Sequence, residues 1–385
     1  MKLMKRIGIL VIMGMLLAAC QPVVTATATA TTAATALPAT PKVVTATPSL
    51  PTEALPTATV ASSTTDTPIA ITVTSGTGNN LADISANNYL DDRSTAASLV
   101  LSFVNAINRH EYLRAYSYFG NPSGTLGTLD AFSNGLANTA SEAISLGQVV
   151  GEGAAGSVYY TIPAVEVDTL TNNTTAKFGD CFVLRFPQPG NYGAPPITPM
   201  NFDKFTKSKV SAGTSDASAL AAACSGSDTT GLPGAAAALE SLSDLSKNNY
   251  IDNRSGAVEV ISSLMNALNR QEYVRAYSYW QNPATSVGAY DAYAAGFKDT
   301  SSVTVTFGTV ASDAGAGQFH YKVPLAMNVI TTSNAQQFFV GCYTLHLSNP
   351  GIQGTLPFEP LGITAGKFTK LSSTATASQL AAACN

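Results

Sequence analysis

The chain has 385 residues, enough for two or three domains, and 45% of them are hydrophobic, enough to build cores. Only 11% are charged, 20 basic against 24 acidic, so no strong field exists to gather nucleic acid or to steer an acidic substrate. Alanine inflates the hydrophobic share, because it fills linkers as much as cores.

Lys2, Lys5 and Arg6 precede an apolar run from Ile7 to Leu17, too short to span a bilayer comfortably. The pattern predicts a cleaved export signal over 1–19. The run ends in Leu17-Ala18-Ala19-Cys20, which resembles the bacterial lipobox, where the cysteine is diacylated and becomes the new N-terminus. The expected location is therefore extracytoplasmic, with Cys20 as the lipidation site and a bacterial membrane as the first partner. From 20 to 79 the chain is rich in Thr, Ala, Pro and Ser, with Val-Val-Thr-Ala-Thr at 23–27 and again at 43–47. Such a stretch has no large side chains to bury, so it reads as a disordered stalk with ends roughly 40 Å apart.

Asn87 to Pro122 aligns without gaps on Asn248 to Pro283, an offset of 161, with 21 of 36 positions identical. The match resumes at Asp130 and Asp291, Pro163 and Pro324, and Cys181 and Cys342. Near the end, Lys204-Phe205-Thr206-Lys207 pairs with Lys367-Phe368-Thr369-Lys370, which implies small insertions, and both copies finish on Leu-Ala-Ala-Ala-Cys. The division is repeat 1 over 80–224, a linker over 225–247 and repeat 2 over 248–385.

Ala96, Val100, Phe103 and Ile107 recur at helical spacing, as do Ala257, Ile261, Leu264 and Leu268, so a long helix opens each copy. Asp91 and Asp252 are the expected starts. A second helix is predicted over 111–118, ended by Asn121-Pro122, and a short one over 126–136. Strands are predicted over 143–150, 157–167, 177–186 and 202–210, with a turn at Gly151-Glu-Gly-Ala-Ala-Gly156. Helices first and strands afterwards mean α+β. The linker carries an apolar-rich stretch, 235–245, that suits a helix.

Beyond Cys20, the cysteines fall at matching places: Cys181 and Cys224, 43 apart, and Cys342 and Cys384, 42 apart. One disulfide inside each repeat is expected, as an exported protein permits. Two sulfurs without a spaced histidine make a poor metal site, and Cys-x-x-Cys is absent.

His110 faces Gln271, His320 faces Tyr159 and His346 faces Arg185, so no histidine is shared between copies. Neither His-x-x-x-His, Gly-x-Ser-x-Gly nor a phosphate loop occurs, and no catalytic residue, metal or cofactor is expected. The shared polar set is Arg93, Asn105, Asn108, Arg109, Glu111, Arg114 and Asp130 with their counterparts. Glu111 and Arg114, three apart on a helix, read as a surface pair. Tyr112, Tyr116 and Tyr118, with Tyr273, Tyr277, Tyr279 and Trp280, are the candidate ligand-binding residues, although the same spacing suits a core.

The order of elements and the segment Asn108-Arg-x-Glu-Tyr-x-Arg-Ala-Tyr-Ser-Tyr118 resemble the nuclear transport factor 2-like superfamily. The resemblance extends to the extracytoplasmic versions attached to cell-wall transpeptidases, and more distantly to SnoaL-like cyclases and ketosteroid isomerases. It implies two tandem cone-shaped domains, each with N-terminal helices packed on a curved antiparallel sheet around a pocket. It also implies pairing of the repeats as an intramolecular pseudo-dimer through their sheets. The expected function is noncatalytic binding of a small apolar ligand, a glycan or an envelope protein, or a structural role. An isomerase-like enzyme using a tyrosine and an acid is the alternative.

Overall fold

The structure is a computed structural model that describes residues 71–72, 83–225, 232–233 and 244–385. The expected signal segment, Cys20, the stalk apart from Ile71–Thr72 and most of the helix expected over 235–245 lie outside the described residues. Among the described residues, no helix is long and apolar enough to cross a membrane.

In chain order the first repeat comprises β1 (Ile71–Thr72), α1 (Ala96–Asn108), α2 (Tyr112–Ser117), α3 (Pro122–Leu126) and α4 (Leu129–Gly135). There follow β2 (Thr139–Leu146), β3 (Val150–Ala154), β4 (Ser157–Leu170), β5 (Thr175–Pro187), β6 (Asn201–Val210) and α5 (Asp216–Ala223). After β7 (Leu232–Pro233), the second repeat comprises α6 (Ala257–Asn269), α7 (Tyr273–Ser278), α8 (Pro283–Ser286), α9 (Tyr290–Ala295) and β8 (Thr300–Phe307). It closes with β9 (Ala311–Gly315), β10 (Gln318–Thr331), β11 (Gln336–Ser348), β12 (Gly362–Leu371) and α10 (Ala377–Ala381). The fold is α+β, with an antiparallel sheet of five main strands in each repeat. The two-residue strands β1 and β7, inside the intervals read as stalk and linker, pair with β2 and β3 of the first sheet.

The amphipathic opening helix forms where its spacing predicts, and Leu99, Val100, Phe103 and Val104 sit in the first core with Ile144, Ile162, Phe182 and Phe202 from the sheet. Its cap differs from the expectation: Thr95 Oγ1 accepts from Ser98 N at 3.0 Å. A threonine one residue before the helix reaches its first turn, whereas Asp91 lies four residues further out and is engaged elsewhere. The short helix expected over 126–136 is two helices, α3 and α4, because Gly127 at φ 77° breaks the turn between them. The glycine-rich stretch is not all turn. Gly151 to Ala154 form β3, and only Ala155 and Gly156, at φ 44° and 78°, make the hairpin.

Glu111 and Arg114 are not a surface pair. Arg114 is 0% exposed, and its guanidinium donates to Glu111 Oε2 at 2.6 Å, Leu90 O at 2.5 Å, Asn105 Oδ1 at 2.9 Å and Tyr118 Oη at 3.0 Å. The Tyr118 hydroxyl in turn donates a hydrogen bond to Asp91 Oδ1 at 2.9 Å, and the Tyr89 ring lies 4.6 Å from the guanidinium. In the second repeat Arg275 repeats the set with Glu272, Ile251, Asn266 and Tyr279, and Tyr279 donates to Asp252 at 2.9 Å. The helical three-residue spacing is correct, but α2 turns that face inward onto the 88–94 segment.

That segment also joins the repeats. Arg93 N donates to Asp252 O at 2.7 Å and Arg254 N to Asp91 O at 2.6 Å, while Asp91 N donates to Ser255 Oγ at 2.8 Å and Asp252 N to Ser94 Oγ at 2.9 Å. Tyr89 packs against the core of the second repeat and Tyr250 against that of the first. The contact runs through these segments; among the described residues the two sheets share no ladder.

On the outer face of the first sheet, α5 packs Ala219 and Leu220 on Val165, and the Cys181–Cys224 disulfide staples it there. Cys342–Cys384 does the same for α10, and both pairs have Cα atoms 5.0 Å apart. Strand register corrects the sequence alignment: Asp180 faces Lys207 and Gly341 faces Phe368, so the offset stays 161 along β6 and β12. The Lys-Phe-Thr-Lys identity is therefore out of step by two residues, and Phe368 stands where the first repeat has Lys207.

Two outcomes are expected. Glu111→Ala strands a buried guanidinium and lowers stability by about 3–5 kcal/mol, read from urea unfolding at constant m-value. Paired replacement of Cys181 and Cys224 by serine releases a 43-residue loop and costs about 4 kcal/mol in the chain-entropy account, read the same way.

Candidate acidic site in the first repeat

The inward faces of four neighbouring strands bring Glu142 (β2), Glu166 and Asp168 (β4), Asp180 (β5) and Lys207 (β6) together. Register explains how: Glu142 faces Asp168 across β2 and β4, and Asp180 faces Lys207 across β5 and β6. Strand alternation then puts Glu142 on the side of Ile144, Glu166 on that of Ala164, and Asp180 on that of Phe182, all core residues. Asn108, the last residue of α1, fixes the β2 end, donating to Glu142 O at 3.0 Å and accepting from Glu142 N at 2.6 Å.

The four carboxylates are 0–5% exposed. Lys207 Nζ bonds to Glu166, lies 3.2 Å from Asp168 Oδ2 and 3.8 Å from Glu142 Oε1, and sits 4.4 Å from the centre of the Phe178 ring. One oxygen each of Glu142, Glu166 and Asp168 falls within 4.8 Å of the others. Among the described residues, neither oxygen of Glu142 and neither of Asp180 meets an N–H or hydroxyl donor, and Asp180 lies against the Glu166 carboxyl.

Burial is the leading cause of the proton affinities. It raises Glu142 well above the usual carboxylate range, with the neighbouring Glu166 charge adding to it. Glu166 is pushed up to about 7, chiefly by burial, and Asp168 also to about 7, by burial and then its hydrogen bond to Glu166. Asp180 is raised by burial to about 6. Burial works against the Lys207 ammonium, but Glu166 and Glu142 outweigh it and keep the amine charged.

The second repeat shows that the fold does not require these groups. At the 161-residue offset it carries Val303, Met327, Val329, Gly341 and Phe368, and the first three are 0–4% exposed in an apolar core. A Cβ on Gly341 would lie 2.1 Å from Lys367 O and 2.2 Å from the Phe368 ring, so neighbouring backbone and the phenyl group together close the space that Asp180 fills in the first copy. Burying carboxylates without partners costs several kcal/mol each, and an apolar filling of the same fold avoids that cost.

The aromatic residues singled out from the sequence do not meet in one pocket. Tyr118 and Tyr279 are wholly buried and committed to the arginine networks. Tyr116 and Tyr277 donate to Gly127 O and Gly288 O at 2.7 and 2.8 Å. Tyr112 pairs with His110 at the surface, and Tyr273 stacks on Phe297. Trp280 does border a cleft of about 310 Å³, next to a second of about 350 Å³ lined from both repeats by Arg93, Phe119, Arg254 and Phe358. Neither cleft is lined by the acidic residues. Sequence reading missed those acids because it looked for residues common to both copies. Their signal lay in the opposite comparison, acids in one copy where the other is apolar.

Comparison with protein-family models, curated proteins and solved structures returns no match for the chain.

All four folded-state affinities lie above the roughly 4 of an unfolded carboxylate, so between about pH 4 and 7 the folded state binds more protons than the unfolded chain. Stability is therefore highest below that window and is lost as pH rises through about 6–7. With chelator present, the melting temperature is expected to fall from about pH 5 to about pH 8. Replacing all five residues by their second-repeat counterparts (E142V, E166M, D168V, D180G, K207F) flattens most of that slope. A remnant stays with Asp92, which burial raises to about 6.

Proposed function

We propose that the chain is a lipid-anchored extracytoplasmic lipoprotein whose two repeats work as one noncatalytic display or binding module of the nuclear transport factor 2-like type. Its ligand would be a small apolar molecule, a glycan or an envelope protein. The observation that carries this reading is the fate of the most strongly repeated segment. In both copies its polar residues are consumed by a buried network that ends in reciprocal bonds between the repeats. A repeated motif spent on scaffold and seam supports a structural duplication, a pseudo-dimer within one chain, over two copies of a catalytic centre. The two disulfides are compatible with an oxidising, extracytoplasmic compartment. Long opening helices followed by a five-stranded antiparallel sheet in each copy support the cone-shaped reading.

The isomerase-like alternative is favoured by one feature, the near-neutral proton affinity of Glu166 and Asp168. Against it, the Tyr116 hydroxyl is held by a backbone carbonyl and Asp130 lies exposed on α4, so that tyrosine and acid are not assembled toward a common substrate.

Cell fractionation tests the proposal. The wild-type chain should sediment with membranes and Cys20→Ser should be released; a C20S protein that still sediments removes the anchor from the reading. Turnover of an envelope-derived or ketone substrate that is lost in Asp168→Asn would replace the module with an enzyme.

A further inference from the structure

We propose that Glu142, Glu166 and Asp168 bind one hard divalent cation of the calcium type inside the first repeat, a site that the second repeat lacks. The donors are all carboxylate oxygens from three positions on two strands, close enough to share an ion. With no sulfur or imidazole among them, the chemistry favours an oxygen-seeking ion over zinc or copper. Calcium takes 6–8 oxygens in irregular geometry, which three carboxylates and a few waters supply; magnesium demands a near-ideal octahedron and gives up water reluctantly.

Two further observations point to a missing positive charge. Asp180, outside the triad and 0% exposed, meets no N–H or hydroxyl donor among the described residues; it lies against the Glu166 carboxyl, and its charge raises the proton affinity there. Glu142 likewise has both oxygens unpartnered, and at 3.8 Å its ion pair with Lys207 is too long for a hydrogen bond. Among the described residues, Lys207 is thus the only cation paired with these acids. Its side chain is 24% exposed, so it enters from the rim and can withdraw toward solvent as a stronger cation enters. The second repeat supplies the control within the chain: where Val303, Met327 and Val329 replace the triad, the Lys207 position has also become Phe368. Acids and lysine are present together or absent together, so the positive charge at this position goes with the acids.

This inference does not depend on the display reading. Calcium chloride is titrated into the chelator-treated full chain by calorimetry. The expected result is one calcium per chain with a dissociation constant of about 0.1–1 mM, the range of extracellular calcium modules, magnesium binding at least tenfold more weakly, and a higher melting temperature at saturation. Asp168→Asn should weaken calcium more than tenfold. The fivefold variant (E142V, E166M, D168V, D180G, K207F), built from residues that already fold in the second repeat, should melt cooperatively and bind none. No saturable binding by the wild type, or undiminished binding by the folded fivefold variant, overturns the proposal. So does equal affinity for calcium and magnesium.

Discussion

Both described repeats are organised around the same buried guanidinium. Arg114 and Arg275 are each taken fully out of water, which is tolerable only because a carboxylate, backbone carbonyls, an amide and a phenol surround them. Arginine suits this role because its planar fork aims several donors at fixed angles and keeps its charge. One side chain thereby fixes three things: the packing of α2 on α1, the path of the segment before α1, and the carboxylate orientation of Asp91 or Asp252. The backbone of that segment is what meets the other repeat.

Against this symmetric frame the interiors differ. The second repeat fills its sheet with apolar side chains, as a fold selected only for stability would. The first accepts a group of acids whose desolvation works against folding, within a frame kept the same by its arginine network, its Asn108 clamp and its disulfide. Two copies of one backbone, one optimised and one burdened, separate what the fold needs from what the first repeat adds.

Much of the fold was legible because it rests on local signals. The spacing of Ala96, Val100, Phe103 and Ile107 gives α1, proline and glycine punctuate the loops, and paired cysteine positions give the disulfides. Features set by tertiary packing were not legible. Glu111 and Arg114 have the spacing of a solvent-facing pair, and only the segment folded over them makes them interior. The Lys-Phe-Thr-Lys identity misled the alignment because ladder register, not residue likeness, decides what faces what. The acidic site was hidden for a different reason: its members are spread over 142–207 on four strands and meet only through the cross-strand order β2-β4-β5-β6.

The bonds between Asp91–Ser94 and Asp252–Ser255 run both ways, each repeat giving the same donors and acceptors that it receives. Such a surface is self-complementary in the manner of an isologous twofold contact. Two separate copies would have to find each other and give up translational freedom to make it. Joined in one chain they meet at an effective concentration on the order of millimolar, so a short hydrogen-bonded seam and two exchanged tyrosines suffice where free partners would need a broad interface. A covalent link between the two copies thus does the work that an association equilibrium would do for separate ones.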